Sequence, residues 1–249
     1  GIRGGGAGSF VSPGGQVLTN HHVALNQLQN VSTHEKDYVS NGFLAMKPAE
    51  EIPCPDLEMN VLVSMENVTA RVLAAVKKGM SPEKALAARK AAIAGIEKES
   101  MEKTGLRSDV VALYQGGEYW LYRYRKYTEI KLVFAPEQQI AFFGGDPDNF
   151  TFPRHDLDMA LFRVYHKGVP VRPEHFLKIN VKGAAPGDLV FVSGHPHSTD
   201  RLYTMAQLRF LRDHAYPLQL KLMKRLWETA KKYASRGDEE ARQAVDLVF

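Results

Sequence analysis

Two histidines, His21 and His22, close a short hairpin sequence, and two aspartates, Asp156 and Asp158, precede an apolar run far downstream. An imidazole paired with a carboxylate is the apparatus of general-base catalysis: the ring takes up a proton near neutral pH and the acid fixes its tautomer. Such a base needs a rigid element at the rim of a cleft. The competing use of clustered histidines is a metal site, for which His21, His22, His155, His195 and His197 are the candidate ligands. No His-Glu-x-x-His or Cys-x-x-Cys spacing is present, and adjacent histidines ending a strand would point in opposite directions, so neither metal nor cofactor is expected. Taken alone, paired histidines are a weak signal, and a loop aspartate is more often solvated than catalytic.

The elements that must carry these groups can be read from local pattern. Residues 9–12 form a short strand, Pro13-Gly14-Gly15 a turn, and residues 16–19 the returning strand that ends at Asn20-His21-His22. Strands are expected within 43–73. Ser81-Pro82 starts a helix, with serine as the N-cap and proline at the first helical position, running to about Lys103 and stopping at Gly105. Leu86, Ile93 and Ile96 fall on one face of it. A strand-rich block spans Tyr119 to Phe134, where Tyr119, Trp120, Tyr122, Tyr124 and Tyr127 read as strand packing. Residues 144–149 form a loop, 158–165 a strand, Lys167-Gly168 a turn and 188–192 a further strand. Beyond residue 203, Leu208, Leu211, Leu218, Leu222 and Leu226 recur at helical intervals, with an interruption near Pro217. The division expected is a β-rich domain over 1–202, containing the helix at about 81–104, followed by a helical segment over 203–249.

Composition narrows the class. The 249 residues are 44% hydrophobic and 24% charged, which suits a globular chain with a proper core. A net charge of +4, with basic and acidic residues interleaved, lacks the concentrated basic face of a nucleic-acid binder. No apolar run is long enough for a membrane span. Cys54 is the single cysteine, so no intrachain disulfide can form, and it reads as a small buried hydrophobe. The sequence opens on Gly1 rather than Met and stops inside a helical pattern, so a piece of a longer protein is expected, with any signal peptide upstream.

The hairpin resembles that of the trypsin-like clan, in which a Gly-Ser strand, a turn and a second strand present the catalytic base. The clan's histidine comes last in its motif, before a cysteine, and Thr19-Asn20-His21-His22-Val23 takes that place here. The resemblance makes His22 rather than His21 the base. Val23 departs from the usual cysteine, which removes a disulfide and no catalytic group. The clan's orienting aspartate opens a strand of the form Asp-x-x-Leu, and Asp158-Met159-Ala160-Leu161 fits it. Asp156 is the competitor; Asp158 is favoured because the apolar strand begins directly after it.

The interval between His22 and Asp158 is far longer than in ordinary trypsin-like enzymes, and here a narrower family comes into view. Gly144-Gly145-Asp146-Pro147-Asp148-Asn149-Phe150, then Pro153-Arg154-His155 and Asp158, resembles the signature of the dipeptidyl-peptidase 7 and dipeptidyl-peptidase 11 family of bacterial serine exopeptidases. So do Thr19-Asn20-His21-His22, Asn41-Gly42-Phe43 and Gly194-His195-Pro196 at their places. The resemblance implies a mostly β fold with helical insertions: a chymotrypsin-like β-barrel, part of a double barrel, followed by the start of an inserted α-helical domain. It implies release of dipeptides from peptides with a free N-terminus, in the periplasm or at the cell surface, by a protein that forms a homodimer. It also places Asn149 at the substrate's α-amino group with Phe150 beside it. Phe150 stands where tryptophan is usual, keeping an apolar wall but losing an indole N–H donor. The bland reading of Asn149 is a turn asparagine bonding its own backbone.

A triad also needs a nucleophile, which the clan sets in a Gly-x-Ser-Gly context. None of the eleven serines has that context; Ser193 precedes Gly194 but lacks the upstream glycine. The resemblance puts the serine after the helical insertion, so these residues alone are expected to be inactive. Two rival readings share the hairpin: a trypsin-like periplasmic endopeptidase, and a non-catalytic peptide-binding relative of the peptidases.

Overall fold

The computed structural model describes residues 1–2, 6–145, 151–192 and 202–248. In chain order the strands are β1 (Ser9–Phe10), β2 (Gln16–Thr19), β3 (Phe43–Leu44), β4 (Ile52–Pro53) and β5 (Met59–Asn67). They continue with β6 (Arg107–Leu113), β7 (Glu118–Tyr127), β8 (Glu129–Ala135), β9 (Ala160–His166) and β10 (Val169–Pro170). The helices are α1 (His21–Val31), α2 (Tyr38–Asn41), α3 (Thr69–Leu73), α4 (Pro82–Thr104), α5 (Gln138–Ala141), α6 (Met205–Phe210), α7 (Tyr216–Ala234) and α8 (Asp238–Val248). The fold is mostly sheet, with α1 to α5 between strands and α6 to α8 after the last of them.

Two compact units emerge. The first comprises Gly1–Val17, Pro53–Lys131 and Phe162–Leu177; the second comprises Leu18–Ile52, Leu132–Leu161 and Lys178–Phe249. The first unit holds a three-stranded antiparallel sheet in the order β5-β7-β6. Its inner face carries Tyr119 and Leu121, which pack with Val68, Val72 and Ile96 and, at the margin, Ile93 and Val110. Helix α4 begins and ends as its sequence dictates. Ser81 Oγ accepts the Lys84 amide, Pro82 occupies the first turn, and Gly105 turns left-handed at φ 66° to close the last one. Ile96 and Ser100 are buried and Ile93 packs at the margin of the core, whereas Leu86, expected on the same face, stays 48% exposed.

A larger sheet runs β1-β2-β9-β8-β3, with β10 pairing β9 and β4 pairing β8. The β1–β2 turn is fixed by Ser12 Oγ, which accepts the amides of Gly14 and Gln16, and by Gly15 at φ 76°. A side chain at Gly15 would bring a Cβ to 2.8 Å from the Val171 carbonyl oxygen, a distance only glycine avoids. Among the described residues the strand order does not return on itself to close a ring.

Two sequence expectations differ from the structure. Residues 188–192 form no strand, although their pattern is apolar and β-branched; Val192 is 99% exposed. A strand needs a ladder partner for its amides and carbonyls, and none pairs with this run among the described residues. The other difference concerns Pro217. It does not break the helical run: a π-helical turn over Leu211–Ala215 leads into α7 with Pro217 in its first turn. Proline lacks an N–H and crowds the carbonyl four residues back, and the widened turn absorbs both defects.

Candidate active site

The two histidines do not end a strand. Strand β2 stops at Thr19, Asn20 takes extended dihedrals in the N-cap position, and His21 and His22 form the first turn of α1. This corrects the strand-end geometry read from sequence. The helix forms because His21, Ala24 and Leu28 recur at helical spacing and are all buried. The two rings consequently diverge by the helical angle rather than by strand alternation.

His21 turns inward and is 2% exposed. A hydrogen bond ties its ring to the backbone of Pro136, and since proline offers only a carbonyl, the ring nitrogen is the donor. Among the described residues its Nε2 is buried without a partner. Burial holds this imidazole below its ordinary pKa of 6.5, against an opposing pull from the Asp158 charge. His21 is a neutral, structural histidine.

His22 points the other way and meets Asp158. The Nδ1 nitrogen lies 2.8 Å from Asp158 Oδ2, and the His22 backbone N–H donates to Oδ1 at 3.1 Å. Asn20 Nδ2 donates to the same Oδ2 at 3.1 Å and to the Asp158 carbonyl oxygen at 3.2 Å. The carboxylate thus occupies the N-terminus of α1, where orphan amides and the helix dipole favour an anion. Asn20 makes no side-chain cap of its own, and Asp158 supplies one from across the fold. An ionised carboxylate only accepts, so Nδ1 carries the proton and the Nε2 lone pair is left outward. The His22 side chain is 69% exposed and that of Asp158 30%. Among the described residues no serine hydroxyl bonds His22.

Sheet order explains the meeting. Strands β2 and β9 are neighbours, and Asn20–His22 and Asp158 lie just outside the end of one and the start of the other. Asp158 is held in place by the segment before it: the Leu157 amide donates to Ile140 of α5, and Ala160 is fully buried as β9 begins. Asp156, two residues earlier, is occupied elsewhere. Its Oδ1 accepts the Phe143 amide at 2.8 Å and its Oδ2 pairs with Arg154 Nε at 2.8 Å. Arg154 in turn donates to the Phe143 carbonyl and lies over the Phe142 ring.

Of the residues singled out from sequence, His22 and Asp158 are brought together. Asn149 and Phe150 lie outside the described residues, as do His195, His197 and Ser193. Among the described residues no three His, Cys, Asp or Glu side chains cluster as a metal site. Asn20 and the His22 amide were given no role from sequence; Asn20 entered only as part of the Thr19-Asn20-His21-His22 run.

The model of the family described as Peptidase S46 matches residues 1–249. The chain belongs to the peptidase S46 family. Among curated proteins, this S46 chain is 32% identical over 230 residues to the Asp/Glu-specific dipeptidyl-peptidase of Capnocytophaga gingivalis, covering 88% of the chain and 32% of that protein. It is 34% identical over 226 residues to the Asp/Glu-specific dipeptidyl-peptidase of Porphyromonas gingivalis, covering 82% and 31%. The dipeptidyl-peptidase 7 of Phocaeicola vulgatus is 32% identical over 226 residues, covering 84% and 31%. The S46 chain therefore spans about a third of the length of these relatives. The crystal structure of Porphyromonas endodontalis DPP11 in complex with dipeptide Arg-Asp superimposes with a TM-score of 0.79 at 27% identity, over 99% of this chain and 39% of that one. No helix among the described residues is long and apolar enough to cross a membrane.

Proposed function

We propose that this chain forms the N-terminal part of a serine dipeptidyl aminopeptidase that removes dipeptides from peptides with a free N-terminus. The observation that carries the reading is the 2.8 Å contact between His22 Nδ1 and Asp158 Oδ2, with Nε2 left open. In the reaction, Nε2 accepts the proton of a serine hydroxyl as its oxygen attacks the scissile carbonyl. The same nitrogen then delivers the proton to the departing amine. Asp158 holds the tautomer and stabilises the imidazolium between those steps. The nucleophile lies outside these 249 residues, a reading supported by the lack of any Gly-x-Ser-Gly run and by the greater length of the relatives. Asn149, with Phe150, binds the substrate's α-amino group.

The same reading assigns residues 1–202 to a chymotrypsin-like barrel, one part of a double barrel, and 203–249 to the start of an inserted helical domain. It places the whole protein in the periplasm or at the cell surface as a homodimer. Family membership and the names of the relatives support the peptidase assignment, and the motif resemblance alone supports the barrel, the location and the homodimer. The test compares full-length protein and its His22→Ala variant on a dipeptidyl chromogenic substrate with a free or an acetylated N-terminus. Turnover of the free substrate only, reduced about four orders of magnitude by the variant, is the expected result. Equal cleavage of the blocked substrate would replace this reading with an endopeptidase, and no cleavage of either with a peptide-binding relative.

A further inference from the structure

The first unit contains a cleft of about 590 Å³ that plays no part in the His22–Asp158 pair. It opens where β6 starts, β7 ends and the β9–β10 hairpin turns, and its walls include Arg107, Arg125, Lys126, Tyr127, His166 and Arg172. Its size falls within the range of small-molecule sites. Four of these side chains are permanent cations, and their pairing is unequal.

Glu58, whose side chain is 9% exposed, bonds Arg107 Nη1 at 2.7 Å and Lys126 Nζ at 2.7 Å. The Lys126 ammonium and the Asn60 amide hold its carboxyl down at about 2, so it is ionised at any working pH. Asp109 takes the Nε of Arg107 at 2.9 Å. Two carboxylates therefore serve two of the cations. Among the described residues, Arg125 and Arg172 have neither a carboxylate nor another hydrogen-bond partner. His166 adds little, because Glu129 stands near it while accepting the amides of Lys167 and Gly168. The carbonyl end of α4 at Gly105 also borders the cleft and, with the carboxylates of Glu58 and Asp109, works against an anion.

Arg125 and Arg172 both line this cleft, and between them they have ten N–H donors to place. Their planar forks match the geometry of a phosphoryl group or a carboxylate. We propose that this cleft binds a small organic dianion, one that carries a phosphoryl group or two carboxylates. Arg125 and Arg172 are the two anchors, and Tyr127 lines the same cleft. Because neither arginine belongs to the proposed peptidase machinery, the inference stands or falls independently of that function.

Calorimetric titration of the full-length protein with inorganic phosphate, succinate and acetate tests it. The expected result is saturable binding of phosphate, of succinate or of both, with acetate at least about tenfold weaker. Phosphate alone assigns a phosphoryl ligand, and succinate alone a dicarboxylate. Arg125→Ala and Arg172→Ala should each weaken binding about tenfold, the loss of one charge-assisted hydrogen bond. Should either alanine variant misfold, Arg125→Lys and Arg172→Lys keep the charge and lose the fork, and are expected to weaken binding less. Peptidase turnover should be unchanged in all four. Absence of saturable binding by both dianions, or wild-type binding by a folded double variant, would overturn the proposal.

Discussion

His22 holds both oxygens of Asp158: its backbone amide donates to Oδ1 at 3.1 Å, and its ring nitrogen meets Oδ2 at 2.8 Å. A single residue thereby engages both oxygens of the carboxylate that its own imidazole meets. The acid cannot rotate without releasing either the ring or the first turn of α1.

Asn20 completes that grip and should affect rate more than fold. Asn20→Ala removes the donor to Oδ2, and kcat/KM of the full-length enzyme is expected to fall about tenfold, with the melting temperature close to wild type. Asn20→Asp sets a second carboxyl group at the 3.1 Å position now held by the amide, and carboxyl groups that close cannot both ionise, so one takes up a proton and the hold on the His22 ring weakens. The fall in kcat/KM should be at least as large as in Asn20→Ala. Wild-type activity in Asn20→Asp would show that Asn20 does not act on the pair.

His21 should make its contribution through stability and its dependence on pH. Its folded pKa lies below the ordinary 6.5, so below that value the unfolded chain binds the proton more readily than the folded one. The stability present above pH 6.5 is therefore lost as pH falls through the lowered folded value. His21→Gln retains a donor for the Pro136 carbonyl and cannot titrate. Melting temperatures measured from pH 7.5 to 5 should decline less steeply in the variant than in the wild type. Equal slopes would place the titrating group elsewhere.

Gly15 guards the hairpin that leads to the site. Gly15→Ala forces a Cβ against the carbonyls of Val171 and Val164, at 2.8 and 3.0 Å, with the backbone still at φ 76°. A loss of about 2 kcal/mol in unfolding free energy is expected, from the left-handed conformation and the overlap together. Denaturant titration measures it, and a loss under about 0.5 kcal/mol would mean that the turn relaxes freely.

Legibility in the sequence followed the range of the forces involved. Helix α4 was readable at both ends because Ser81, Pro82 and Gly105 act through bonds to their near neighbours. The hairpin to Thr19 was readable for the same reason. Helix α1 was not, because its N-terminal anion is Asp158, 136 positions away, and no local acid announces it. The preference for Asp158 over Asp156 rested on where the apolar strand begins; what occupies Asp156 is Arg154 and the Phe143 amide, a contact that spacing alone does not reveal. Residues 188–192 show the converse failure, a local pattern without the distant partner it needs.

The capping of α1 by Asp158 bears on how a silent relative of this chain should be judged. Were such a protein to lose its nucleophile, selection for an intact first helical turn would still preserve the acid. An aspartate retained at this position is therefore poor testimony to living chemistry. The outward imidazole, which among the described residues bonds only that acid, is the better witness.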